Sequence, residues 1–163
     1  MIRHAAILAV ALLAGPAAAL SCLPPDAVEL YTQARDAESD YWVVRGRIRL
    51  KEPLNRPEPL QGGGLEPGPH ADTRIQVLGR VLIGDGSFHP FARNVTLRLT
   101  CLSVWCGDLP VEEDLILALE VTNDQPVLSI DPCRGTAVPY DEDGMERLLA
   151  CHTTGDCVTA LPY

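Results

Sequence analysis

Apolar and polar residues alternate with a period of two through much of the chain between residues 41 and 131. In "YWVVRGRIRL", Trp42, Val44, Gly46, Ile48 and Leu50 interleave with Val43, Arg45, Arg47 and Arg49, the pattern of a strand with one buried face. The same period returns in "TRIQVLGRVLIGDG" through Ile75, Val77, Gly79, Val81 and Ile83, and in "RNVTLRLT" through Val95, Leu97 and Leu99. "EDLILALEV" continues it with Leu115, Leu117, Leu119 and Val121, and "QPVLSID" supplies a short fifth strand leading to Cys133. Two other stretches carry helical spacing. After Pro24-Pro25, Asp26 stands as an N-cap with Glu29 three residues on, a capping box, and Val28, Tyr31, Ala34 and Ala37 mark one stripe over about three turns. "DEDGMERLLACH" predicts a short second helix, with the acidic run Asp141-Glu142-Asp143 where the helix dipole favours negative charge.

Five strands flanked by a helix on each side predict a mainly β fold, a five-stranded OB-type Greek-key barrel with an N-terminal helix and a short C-terminal helix. A β-sandwich calls for about seven strands. Residues 51 to 73 hold five prolines and four glycines without periodicity. That composition predicts a flexible Pro/Gly-rich loop, tolerant of deletion, between the first two strands.

Composition places this fold in a compartment. "MIRHAAILAVALLAGPAAAL" has one arginine, a short apolar stretch, a Gly-Pro breaker and an A-x-A site, which predicts a signal peptide over residues 1–19 and a single domain over 20–163. The apolar stretch is about half the ~20 residues that cross a bilayer, so no membrane anchor is expected. Lipidation at Cys22 is the rival reading, but Ala19 stands where such a signal usually has leucine. Removing Arg3 from the 13 basic residues leaves 12 against 22 acidic ones, a formal charge of −10. Such a balance repels nucleic acid and anionic lipid, so neither is an expected partner.

All six cysteines, Cys22, Cys101, Cys106, Cys133, Cys151 and Cys157, follow the signal, and an even count in an oxidising compartment predicts three disulfides. No C-x-x-C pair is present, and the spacings do not form a zinc pattern. Asp141 to Asp143 lack the alternating ligand positions of a calcium loop. No metal site and no cofactor are therefore expected. Catalysis is not expected either: His70 falls in the predicted loop, Cys151 next to His152 has Cys157 as a near partner, and no serine sits in a G-x-S-x-G turn. The three arginines of the first strand are expected to be its solvent face, paired with some of the many carboxylates. The alternative, an anion site, lacks a glycine-rich phosphate cradle. Asn94-Val95-Thr96 matches a glycosylation sequon, a short pattern that recurs by chance.

Cys22 ahead of a helix, Val44-Arg45-Gly46-Arg47-Ile48 in the first strand, Cys106-Gly107 before the fourth and Cys133 after the fifth occur in this order. The layout resembles the netrin-like (NTR) domain shared by tissue inhibitors of metalloproteinases and small bacterial secreted proteins, over about residues 22 to 139. The resemblance implies a periplasmic or secreted binding module that meets an unknown protein partner, with Cys22, Leu23, Cys106 and Gly107 as interaction candidates. A small-ligand or metal-ion binding protein of the periplasm is the alternative. A metalloproteinase inhibitor fits less well, because the inhibitors begin with Cys-x-Cys and chelate the protease metal with the terminal amine, whereas Leu20-Ser21 precede a lone Cys22 here. Six cysteines allow 15 pairings. Local spacing suggests Cys101 to Cys106 and Cys151 to Cys157, and the family's bridge from N-terminus to fifth strand implies Cys22 to Cys133. The pattern nearer to the inhibitors joins Cys22 to Cys106 and Cys101 to Cys133. On the first pattern Gly107 supplies backbone freedom where the pinned loop re-enters the sheet.

Overall fold

The computed structural model describes residues 22–60, 67–109 and 113–160. The signal peptide expected at 1–19 and residues 61–66 of the expected loop lie outside the described residues. In chain order the elements are α1 (Ala27–Asp36), β1 (Asp40–Leu50), β2 (Pro67–Leu82), β3 (Phe88–Leu102), β4 (Trp105–Cys106), β5 (Leu115–Thr122), β6 (Gln125–Ile130), β7 (Ala137–Pro139) and α2 (Glu142–Thr154). The fold is mainly β, one mixed sheet with one N-terminal and one C-terminal helix. Neither helix is long and apolar enough to cross a membrane.

Strands β1, β2 and β3 pair antiparallel in sequence, β3 pairs parallel with β6, and β6 pairs antiparallel with β5. β5 also pairs with β1, so the succession of pairings returns to its first strand. The β5–β6 connection is two residues, Asn123 and Asp124, both at positive φ (51° and 59°), the backbone of the tight hairpin turn that these two residue types tolerate best.

Period-two alternation sends Val44, Ile48, Ile75, Val77, Val95, Leu97, Leu99, Leu128 and Ile130 to one side, where they form the main core with Leu115, Leu117 and Leu119. A second core lies on the other side of β1 and β5. There Leu30 and Ala34 of α1 and Met145 and Leu148 of α2 cover Val43, Ile116, Ala118 and Val138. This explains why "LILAL" in β5 is continuously apolar: both of its faces are buried. Asp26 caps α1 as expected, accepting from the Val28 and Glu29 amides. Ala37, expected on the buried stripe, is instead the exposed C-cap.

The loop expected over 51–73 is shorter. β2 begins at Pro67, with a register shift between Pro67 and His70, so His70 is a strand residue opposite Thr100. The described part of the loop is irregular yet docked: the Asn55 amide donates to Thr73 Oγ1 at 2.9 Å, Asn55 Nδ2 to the Asp72 carbonyl at 2.8 Å and the Leu60 amide to the Ser103 carbonyl at 3.2 Å. Pro57 is buried and Leu54 packs on the main core. Proline and glycine exclude a regular element here, but hydrogen bonds to neighbouring strands still order it.

Candidate functional site

Three disulfides join Cys22 to Cys133, Cys101 to Cys106 and Cys151 to Cys157, and no cysteine is free. Three bridges in a chain of this size fit an oxidising, extracellular environment. Cys22 therefore bonds Cys133 rather than Cys106.

Two of these bridges meet at one end of the sheet. Cys101 and Cys106 face each other across the antiparallel β3–β4 pair, and their bridge closes a hairpin whose two connecting residues are Ser103 and Val104. Ser103 takes a positive φ of 56° and turns inward, so the residues left pointing out are Val104, 51 % exposed, and Trp105, 45 % exposed. Leu60, 40 % exposed, is tied alongside by a hydrogen bond from its amide to the Ser103 carbonyl. After the hairpin the Gly107 amide donates to the Thr100 carbonyl at 2.9 Å. A Cβ on Gly107 would fall on the Ile130 carbonyl oxygen. Close approach to the end of β6 therefore requires glycine there; its φ is not positive, contrary to the conformational freedom expected of it.

The stretch Asp131–Cys133 follows at once. Asp131 Oδ1 accepts from the Cys133 amide at 2.8 Å and the Arg134 amide at 2.9 Å, fixing the turn that carries Cys133. A shallow depression lined by His70, Cys101, Leu102, Asp131, Pro132 and Cys133 joins the two bridges. On the other side of Cys133, Leu23 is 59 % exposed and borders Asp131. Of the interaction candidates, then, Cys22, Leu23 and Cys106 gather at this end, Cys22 and Leu23 exposed and Cys106 half-buried. Gly107 is at the same end but buried. Val104, Trp105 and Leu60 were not foreseen, although a Val-Trp step between two cysteines five apart is a legible sign of a pinned turn.

Compared with family models, curated proteins and solved structures, the chain matches none.

Several other titratable groups are held by their neighbours. The Tyr31 hydroxyl lies 2.9 Å from His152 Nδ1, and His152 Nε2 lies 3.1 Å from the Ile83 carbonyl. Since a carbonyl only accepts, Nε2 carries the hydrogen and Tyr31 donates to Nδ1 in the neutral ring. His152 thereby joins α1, α2 and the end of β2, while its neighbour Cys151 is bonded to Cys157. In the acidic run, Asp141 caps α2 by accepting from the Gly144 amide and Asp143 pairs with Arg147 at 3.0 Å. Of the first-strand arginines only Arg45 has the expected carboxylate, Asp114 at 3.0 Å; among the described residues Arg47 and Arg49 form no ion pair.

Proposed function

We propose that this chain is a periplasmic or secreted binding module that grips a protein partner with the disulfide-pinned β3–β4 hairpin. The observation that carries the reading is the exposure of Val104 and Trp105 on a turn that a covalent bond holds in one shape. Tryptophan is the side chain most enriched at the centres of protein interfaces, and an anchor ordered before binding loses little conformational freedom on contact. Leu60 and Leu23 add exposed apolar side chains at the same end of the sheet.

The finer fold reading is a closed five-stranded barrel of OB type. The return of the pairings to β1 and the parallel β3–β6 pair support it. The order of Cys22, Gly46, Cys106-Gly107 and Cys133, together with the Cys22–Cys133 bridge, supports an NTR-like module within that class. An inhibitor that chelates metal through a terminal cysteine is less well supported, because Leu20 and Ser21 precede Cys22. One cavity of about 200 Å³, between α1, α2 and β1, favours the small-ligand alternative. Most of its polar groups are already engaged, Arg35 by Asp36 and His152 by Tyr31 and Ile83, which leaves chiefly the Tyr41 hydroxyl to orient a ligand.

The test is retention of a partner from the native periplasm or medium by the immobilised mature protein. A V104S/W105A variant is expected to lose at least about tenfold in affinity for the partner that wild type retains, the scale of an interface anchor. V158S, at an equally exposed apolar site near the other bridge, is expected to behave as wild type. Equal retention by all three proteins overturns the reading.

A further inference from the structure

The arginines are not spread evenly over this acidic protein. Arg35, Arg45, Arg56, Arg98 and Arg147 each bond a carboxylate. Arg47, Arg49 and Arg80 bond none among the described residues, and strand alternation projects all three from the same face of the β1–β2 pair as Arg45, whereas the Arg74 amide donates to Glu52 Oε1 at 2.7 Å. Arg45 stands opposite Arg80, Arg47 opposite Leu78 and Arg49 opposite Gln76. Gathering like charges while carboxylates are in excess runs against folding stability, so the arrangement points to a ligand that supplies the missing negative charge.

The geometry of the face limits what that ligand can be. Two guanidinium groups are fixed: Arg45 bonds Asp114 through Nε and Nη2 and lies 3.4 Å from the Tyr140 ring centroid, and Arg80 Nη2 donates to the Phe88 carbonyl at 2.7 Å. Arg47 and Arg49 are exposed, and successive positions on one strand face stand about 6.6–6.8 Å apart. The Gly46–Gly79 pair lies in the shallow groove between Arg45, Arg47 and Arg80. A Cβ on either glycine would strike the facing backbone, so the two strands approach closely at this pair. Gln76, Asn94 and Thr96 continue the face as neutral hydrogen-bonding groups. This open row of charges suits a chain of anions better than one enclosed ion. The outward positions 45–49, 74–80 and 90–96 offer no aromatic ring for a nucleobase to stack on, the neighbouring Tyr140 ring is covered by the Arg45 guanidinium, and half-buried Leu78 is the one large apolar side chain of those positions. Nucleic acid and lipid are therefore poor occupants, whereas a polymer rich in hydroxyls and regularly spaced oxyanions matches both the arginines and the amides.

We infer that the outer face of β1–β2 binds a linear acidic polysaccharide through Arg47 and Arg49, with Arg45 and Arg80 lining the groove beside them. The site is separate from the β3–β4 hairpin and does not depend on the protein-binding reading. Binding of the full mature protein to dextran sulfate and to alginate tests it, with polyglutamate and a single-stranded oligonucleotide as competing polyanions. Dextran sulfate, alginate or both are expected to bind with an affinity that falls as salt rises. R47Q/R49Q is expected to weaken that binding by about tenfold or more, while R56Q, which removes an arginine elsewhere, changes it less than about twofold. An unchanged thermal midpoint shows that the double variant is folded. Failure to bind either polysaccharide, equal affinity of R47Q/R49Q, or tighter binding of polyglutamate or oligonucleotide overturns the inference.

Discussion

Replacing Cys22 and Cys133 together by serine is expected to lower the unfolding free energy by about 4–5 kcal/mol, the chain-entropy value for a loop of this length. The two residues are 111 apart in sequence, against 5 and 6 for the other bridges, so this bond restricts the unfolded chain most. Its native role is equally specific. It fastens the segment ahead of α1 to the turn that Asp131 holds between β6 and β7, and so ties the helical layer to the sheet. Loss of this size should lower the thermal midpoint by roughly 10–20 °C for a domain of this length. The C101S/C106S and C151S/C157S pairs should each cost about 2 kcal/mol. Denaturant titration of the oxidised proteins measures all three, and a loss below about 2 kcal/mol for C22S/C133S contradicts the tethering role given to that bond.

The second large effect is expected at Asp26, whose substitution by alanine should cost about 3–4 kcal/mol. The residue is 8 % exposed, and both carboxylate oxygens are used. Oδ1 accepts from the amides of Val28 at 2.8 Å and Glu29 at 3.1 Å, capping α1. Oδ2 accepts from Arg147 Nη1 at 3.0 Å and the Ala160 amide at 3.1 Å, joining α1 to α2 and to the segment that follows it. Alanine removes the cap and leaves Arg147 without this partner. Serine keeps the cap alone and should recover about 1 kcal/mol of the loss.

The pH dependence at Asp26 follows from the same contacts. Burial by itself raises this carboxyl's pKa, but hydrogen bonds from Ala160, Arg147, Glu29 and Val28 outweigh it and hold the group below its ordinary value. A carboxyl depressed in the folded state stabilises fully above its unfolded pKa, about 3.9, and loses that contribution as pH falls through the lower folded value. The gap between wild type and D26A should therefore be constant near neutrality and narrow as pH falls below about 4. A gap that widens in acid contradicts this account.

Much of the sheet was legible because alternation reports burial on one face, and the inward residues of β2 and β3 followed from it, while the cap at Asp26 followed from its place after two prolines with Glu29 three residues on. The missed parts have physical causes. The first half of β3, from Phe88, contains Pro90, which sequence rules place outside a strand interior. Here β6 pairs only with Thr96–Leu99, so one side of Pro90 is unpaired and no amide hydrogen is needed on it. β4 and β7 are two and three residues long, too short to show a period. β2 was begun too late because Pro67 and Pro69 obscure its entry. At the candidate site the pairing partners of the cysteines were suggested by spacing and resemblance, but the outward turn of Trp105 was not. An apolar residue beside a strand is ordinarily taken as core, and only the two-residue connection through Ser103 determines which way it points.

The most direct test of the hairpin as the gripping element is a photocrosslinking residue at position 105 of the exported, disulfide-intact protein, with position 158 as the exposed comparison. A discrete protein adduct from position 105, absent from position 158 and lost when C101S/C106S unpins the turn, is the predicted result. An adduct from position 158 with none from position 105 would contradict it.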